Sequence, residues 1–67
     1  MRAKIVILLR DKAYGFVADD ETTRHFFHRQ DLVGLNFDDL FVGQDVEADV
    51  VASAKGPRVA NVRIVTE

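Results

Sequence analysis

The sequence predicts an all-β protein that folds as a small five-stranded antiparallel barrel. Apolar and polar residues alternate with a period of two over much of the chain, which indicates strands with one buried face. No stretch carries the long apolar stripe of an amphipathic helix. A chain of 67 residues would leave exposed edges on a short open sheet, and closing the sheet into a barrel removes those edges.

The first three predicted strands lie in the N-terminal half, at residues 3–9, 14–18 and 24–28. The charged turn RDK separates the first two strands, and the acidic loop DDETT separates the second from the third. The segment RQDLVG that follows predicts one turn of tight helix ended by Gly34. We expect no helix of ordinary length.

Two further strands are predicted in the C-terminal half, separated by the turn residues of AKGP. The fourth strand lies within DVEADVVA, where the residues that share one face are Val46, Ala48 and Val50. The fifth strand covers residues 59–65, and its alternation assigns to one face Ala60, Val62 and Ile64.

Composition limits the classes of function. The chain has 48% hydrophobic and 30% charged residues, so we expect one folded domain over residues 1–67. The absence of cysteine excludes disulfides and thiolate metal sites, and it predicts a reducing, cytoplasmic location. No apolar run approaches the roughly 20 residues that span a bilayer, so no membrane partner is expected. A net charge of −2 gives no general attraction to nucleic acid, and any such binding depends on local features.

Two aromatic pairs are the candidate binding feature. Tyr14 and Phe16 share one face of their strand, as do Phe26 and His28. These rings face either the core or solvent, and two details favour solvent. Buried Tyr14 and His28 would each need a hydrogen-bond partner, whereas the small Gly15 suits the interior of a narrow barrel. Rings flanked by Lys12, Arg24 and Arg29 would offer stacking surfaces for bases and positive charge for the backbone of a single strand.

The motifs KAYGFV and HFFHR resemble the two ribonucleoprotein motifs of bacterial cold-shock proteins and of the cold-shock domains of Y-box proteins. The resemblance extends through KGPRVANV and covers nearly the whole chain. It implies an OB-type barrel in which bases stack on Tyr14, Phe16, Phe26, His28 and Phe37, with backbone contacts from Lys12 and Lys55. With two arginines near the same strand ends, the predicted nucleic-acid-binding residues are Lys12, Tyr14, Phe16, Phe26, His28, Arg29, Phe37, Lys55 and Arg58.

The chain also departs from the pattern of this family. Ile7 stands where the family has an exposed tryptophan, Leu9 replaces an asparagine, and Arg29 replaces a phenylalanine. A smaller set of rings predicts weaker binding, although the guanidinium plane of Arg29 is itself able to stack.

Two functions therefore remain open at the level of sequence. The first is a binder of single-stranded RNA or DNA with low sequence specificity, which acts as an RNA chaperone. The second is an OB-type protein-interaction module or homodimer, with weak or no nucleic-acid binding, that associates through Ile7, Leu9 and Phe41.

Neither function requires an enzyme, and no catalytic residue, metal or cofactor is predicted. His25 and His28 are three positions apart, so they project to opposite faces of a strand and do not share a metal ion. The acids at residues 19–21 are interpreted as a solvated loop.

Overall fold

The computed structural model describes residues 1–65 and confirms the all-β fold. Its five strands are β1 (Arg2–Leu9), β2 (Tyr14–Ala18), β3 (Arg24–His28), β4 (Asp45–Val51) and β5 (Arg58–Ile64). The tight helical turn predicted in RQDLVG is a 3₁₀ turn at Arg29–Asp31. A second 3₁₀ turn at Phe37–Asp39 was not predicted, and it begins where the Asn36 side chain accepts a hydrogen bond from the Asp38 N–H.

The strands close into a barrel in the order β1-β2-β3-β5-β4. Four of the pairings are antiparallel, but β3 and β5 run parallel where Phe26 pairs with Arg58. The prediction of an antiparallel barrel is therefore wrong at this one seam. The reason is geometric, because strand directions cannot alternate all the way around a closed ring with an odd number of strands.

A bulge in β1 determines which side chains reach the outer surface. Ile5 pairs with Val17, but the next pair is Ile7 with Phe16, so β1 carries one extra residue at this point. Beyond the bulge, Leu8 packs against the core, whereas Ile7 and Leu9 lie beside Phe16 and Tyr14 on the outside.

A second bulge corrects the predicted faces of β5. Asn61 adopts a left-handed conformation with φ of 52°, and the pairing with β4 shifts there by one residue. Val59 consequently shares the inner face with Val62, both fully buried, and Ala60 pairs with Asp49 instead of joining them.

The core confirms part of the predicted pattern in β4. Val46 and Ala48 are buried as predicted, together with Ile5, Val17 and Phe27. Val50 and Ile64 lie on the same face as the buried residues with which they pair, Val59 and Val46. They stand near strand ends, however, and are 61% and 53% exposed. The alternation therefore predicts the correct face for these two residues, but it does not predict that they are exposed.

Asp19 organises the loop between β2 and β3. Its carboxylate accepts hydrogen bonds from the backbone N–H groups of Glu21 and Thr23, and it lies 3.1 Å from Nε2 of the buried His25. The contact with His25 is the main reason why the pKa of Asp19 lies below its ordinary value. This stabilising contribution is present above the unfolded pKa of about 3.9 and is lost as the pH falls through the lower folded pKa.

Candidate nucleic-acid interface

Three aromatic side chains form a cluster on the outer face of β2 and β3. Tyr14, Phe16 and Phe26 are half-buried, whereas their neighbours Gly15 and Phe27 point into the core. The Tyr14 and Phe26 ring centroids are 5.3 Å apart, and the Phe16 and Phe26 centroids are 5.9 Å apart. The structure thus places these predicted residues together and away from the core; we call the three rings the aromatic cluster.

The rings of the aromatic cluster hold one another in place. Tyr14 and Phe16 meet edge to face at 81°, and Phe16 and Phe26 meet at 73°, which are favourable geometries for aromatic pairs. Ile7 and Leu9 extend the apolar surface on the β1 side. The three rings and these two aliphatic side chains thus form one continuous apolar area on the outer face.

His28 lies beside Tyr14 in the register of β2 and β3, and its ring has a defined hydrogen-bonding role. Its Nδ1 accepts a hydrogen bond from the Gln30 N–H at 3.2 Å, which caps the first 3₁₀ turn. The neutral ring therefore carries its proton on Nε2 and presents a donor there.

An open groove of about 530 Å³ adjoins the aromatic cluster. Its walls include the Phe16 and Phe26 rings and the loop that joins β4 to β5. Three cations line the same groove, namely Arg24, Lys55 and Arg58. The Arg58 guanidinium lies 5.5 Å from the centroid of the Phe26 ring, within the range of a cation–π contact.

Lys12 and Arg29 are exposed at the other side of the aromatic cluster. The Arg29 N–H donates to the Ala13 carbonyl at 2.9 Å, which joins the turn that carries Lys12 to the end of β3. Cations therefore lie on both sides of the aromatic cluster. No group of three or more potential metal ligands occurs within residues 1–65, and no helix there is long and apolar enough to cross a membrane.

Comparison with known proteins identifies the family of the chain. The sequence model described as 'Cold-shock' DNA-binding domain matches residues 1–65. The chain belongs to the cold-shock domain family. Cold-shock domains bind nucleic acid and are not enzymes, so the family confirms the prediction of a protein without catalytic activity.

Named relatives support the same membership. The "Cold shock-like protein" of Aquifex aeolicus is 44% identical over 59 residues, which are 87% of this chain and 84% of that protein. The "Cold shock-like protein" of Thermotoga maritima is 35% identical over 65 residues, which are 97% and 98% of the two chains. The "Cold shock protein CspB" of Geobacillus stearothermophilus is 33% identical over 61 residues, or 91% and 92% of the two chains.

Phe37 departs from the stacking role that the family resemblance implied. It is only 6% exposed, and its ring centroid lies 6.2 Å from that of the buried Phe27. A ring with so little exposed surface has no free face for a base. We therefore correct the prediction and assign Phe37 in this cold-shock domain to the core.

Arg10 holds the segment around Phe37 against the barrel, and the sequence analysis did not predict this role. Its guanidinium donates to the carbonyl oxygens of Asp38 and Leu40, at 3.3 and 2.6 Å, and so ties the second 3₁₀ turn to the end of β1. The sequence carries no signal for this contact, because Arg10 is 28 positions from Asp38 and 30 positions from Leu40 in the chain.

Asp31 is a second residue that sequence reasoning missed, although a signal for it exists. It stands three positions after His28, which is the spacing of a capping box, and its Oδ2 accepts from the His28 N–H at 2.8 Å. The acidic residue at this spacing could have been recognised as a cap.

Proposed function

We propose that this cold-shock domain binds single-stranded RNA or DNA with low sequence specificity by stacking bases on Tyr14, Phe16 and Phe26. The observation that supports the proposal most directly is the contact of these three rings on the outer face, beside a groove lined by cations. Bound bases are unavailable for pairing, so the protein acts as an RNA chaperone. The cytoplasmic location predicted from composition is part of this proposal.

The remaining predicted residues support binding in different ways. His28 presents its Nε2 donor beside Tyr14, and Arg29 offers a planar guanidinium to stacked bases. Lys12 and Lys55 supply positive charge around the rings, and the Arg58 guanidinium lies against the Phe26 ring. The stacking and charge contacts do not depend on the identity of a base, which accounts for low specificity.

The affinity is expected to be lower than in members with the full set of rings. Each stacked base contributes about 1–3 kcal/mol. Ile7 and Arg29 replace aromatic residues of the family, and Phe37 is buried.

Titration of the protein with oligothymidine tests the proposal. Tyr14 is the one tyrosine of a chain without tryptophan, and it belongs to the aromatic cluster, so a stacked base should quench its fluorescence. We expect saturable quenching that weakens as salt rises, because backbone contacts release counterions. The matched control is the same strand annealed to its complement, which should quench far less because its bases are already stacked and paired. The absence of quenching at high micromolar strand concentration would contradict the proposal.

A second candidate function is self-association through Ile7, Leu9 and Phe41. Phe41 and Val42 are adjacent and 59% and 62% exposed, which is unusual for large apolar side chains. Their turn is fixed to β1, since the Gly43 N–H donates to the Ile5 carbonyl at 2.7 Å. A partner that covers Ile7 and Leu9 would also cover part of the aromatic cluster, so the two functions would compete.

Phe41→Glu separates the second candidate from the first. The substitution should leave folding nearly intact, because the side chain is mostly exposed, and it should abolish any concentration-dependent increase in sedimentation coefficient. Val33→Glu is the matched control, since it adds the same charge at a residue that is 51% exposed on another segment. If Phe41→Glu unfolds the domain, or if both variants associate like the parent, Phe41 is not an interface residue.

A further inference from the structure

Asp31 connects the backbone of His28 to the guanidinium of Arg58, at the edge of the aromatic cluster. Building on the proposed function, we infer that Asp31 holds Arg58 as a planar stacking surface beside Phe26. Arg58 then binds single-stranded nucleic acid by stacking on a base and not by neutralising a phosphate. Asp31 acts in this arrangement as a positioning residue.

The geometry restrains Arg58 from two sides. Its Nη2 lies 3.2 Å from Oδ2 and 3.4 Å from Oδ1 of Asp31, and its guanidinium carbon lies 5.5 Å from the Phe26 ring centroid. Its backbone is also fixed, because Arg58 pairs with Phe26 at the parallel seam of the barrel. The head group of Arg58 is therefore held over the ring that belongs to the aromatic cluster.

Asp31 is itself firmly placed. Its Oδ2 accepts the His28 N–H at 2.8 Å, and its side chain is only 12% exposed, compared with 42% for Arg58. A carboxylate so shielded interacts with its cation more strongly than an exposed one does. Arg58 therefore remains oriented by Asp31 while part of its surface stays open to a ligand.

This pairing changes what Arg58 is able to bind. A phosphate that approaches Arg58 also approaches the fixed negative charge of Asp31, which repels it. A base carries no net charge and meets no such repulsion. The guanidinium is planar and weakly hydrated, and it stacks well on aromatic surfaces, so it extends the aromatic cluster towards the groove.

Lys55 and Arg24 provide the contrast within the same groove. Both side chains are exposed and line the groove, and neither forms an ion pair among residues 1–65. Their charges are free to meet phosphates. Lys55 is therefore a matched control for Arg58, since both cations border the same groove but, among residues 1–65, only Arg58 is paired with a carboxylate.

The test measures oligothymidine affinity over a range of salt concentrations for the full chain and four variants. Lys55→Ala should reduce the log–log salt slope by about 0.7, the value for one phosphate contact on a single strand. Arg58→Ala should weaken binding about fivefold or more at every salt concentration, with a slope change below about 0.2. Arg58→Lys should resemble Arg58→Ala, because an ammonium group has no plane to stack.

Asp31→Asn tests the positioning role directly. The asparagine keeps an oxygen that accepts the His28 N–H but removes the charge that orients Arg58. Freed from its partner, Arg58 should contact phosphate and steepen the salt slope by about 0.7. A residue that only stabilised the fold would lower affinity without steepening this slope. Thermal unfolding of each variant accompanies the titrations, and the two Arg58 variants decide the question if Asp31→Asn does not fold.

Other outcomes overturn the inference. If Arg58→Ala flattens the slope as much as Lys55→Ala, and Arg58→Lys restores slope and affinity, then Arg58 is a phosphate contact and the inference is wrong. The proposed function survives that result, because the strand still binds. If the parent protein binds no strand, the proposed function and this inference fail together.

Discussion

Gly15→Ala is expected to remove most of the stability of the barrel. A Cβ atom at this position would lie 2.3 Å from the Ile7 carbonyl oxygen and 3.2 Å from two atoms of the Phe27 ring. Ile7 belongs to the bulged backbone of β1, and Phe27 is fully buried, so neither has free space into which to move. Overpacking typically costs about 1–3 kcal/mol, and a contact this close with the backbone places Gly15→Ala at the upper end of that range. A cost of that size approaches the roughly 3–5 kcal/mol that so small a core supplies. Urea unfolding monitored by circular dichroism measures the loss.

Gly34→Ala is the matched control for this experiment. No atom lies within 4 Å of a Cβ built on Gly34, but its φ of +68° is unfavourable for alanine, at a cost of about 1–2 kcal/mol. Gly15 has the opposite combination, with a close contact and no positive φ. If Gly15→Ala unfolds at the same urea concentration as Gly34→Ala, β1 yields easily at its bulge and steric crowding does not decide the stability.

The strands were predictable because alternation and turn residues act locally, but the bulges were not. The run IVILL is apolar at every position, so it is compatible with either face and gives no sign of the extra residue before Ile7. In β5 the apolar residues around Asn61 fit either of two assignments of the inner face. Asparagine tolerates the left-handed conformation better than most residues, and this was the one available signal for the second bulge.

The placement of the aromatic cluster was predictable for a similar reason. Gly15 fits the interior and leaves Tyr14 and Phe16 outside, so the alternation of one short strand decides the face. Phe37 and Asp31 lie instead in the connection between β3 and β4, where no period applies. Their positions depend on contacts with distant residues, such as the Asp31 contact with Arg58.

Phe26 and Phe27 allow the sharpest test of the proposed interface, because the same residue type stands at two adjacent positions of β3 with opposite orientations. The Phe26 side chain is half-buried within the aromatic cluster, and Phe27 is fully buried in the core. Phe26→Ala should weaken oligothymidine binding by about 1–3 kcal/mol, or roughly 5- to 150-fold, while folding changes less. Phe16→Ala should behave in the same way, since its ring packs on Phe26 in the same cluster.

Phe27→Ala should have the reverse effect. Removing a buried phenylalanine costs about 3–5 kcal/mol, so most of the protein should be unfolded and binding should fall only in proportion to the folded fraction. Unfolding curves and titrations on the same samples separate the two effects. If Phe26→Ala unfolds like Phe27→Ala, the Phe26 ring stabilises the fold and is not a binding surface. If Phe16→Ala and Phe26→Ala both fold and bind as tightly as the parent, stacking on the aromatic cluster is wrong, because Tyr14 and the half-buried His28 ring are the only accessible rings that would then remain on β2 and β3.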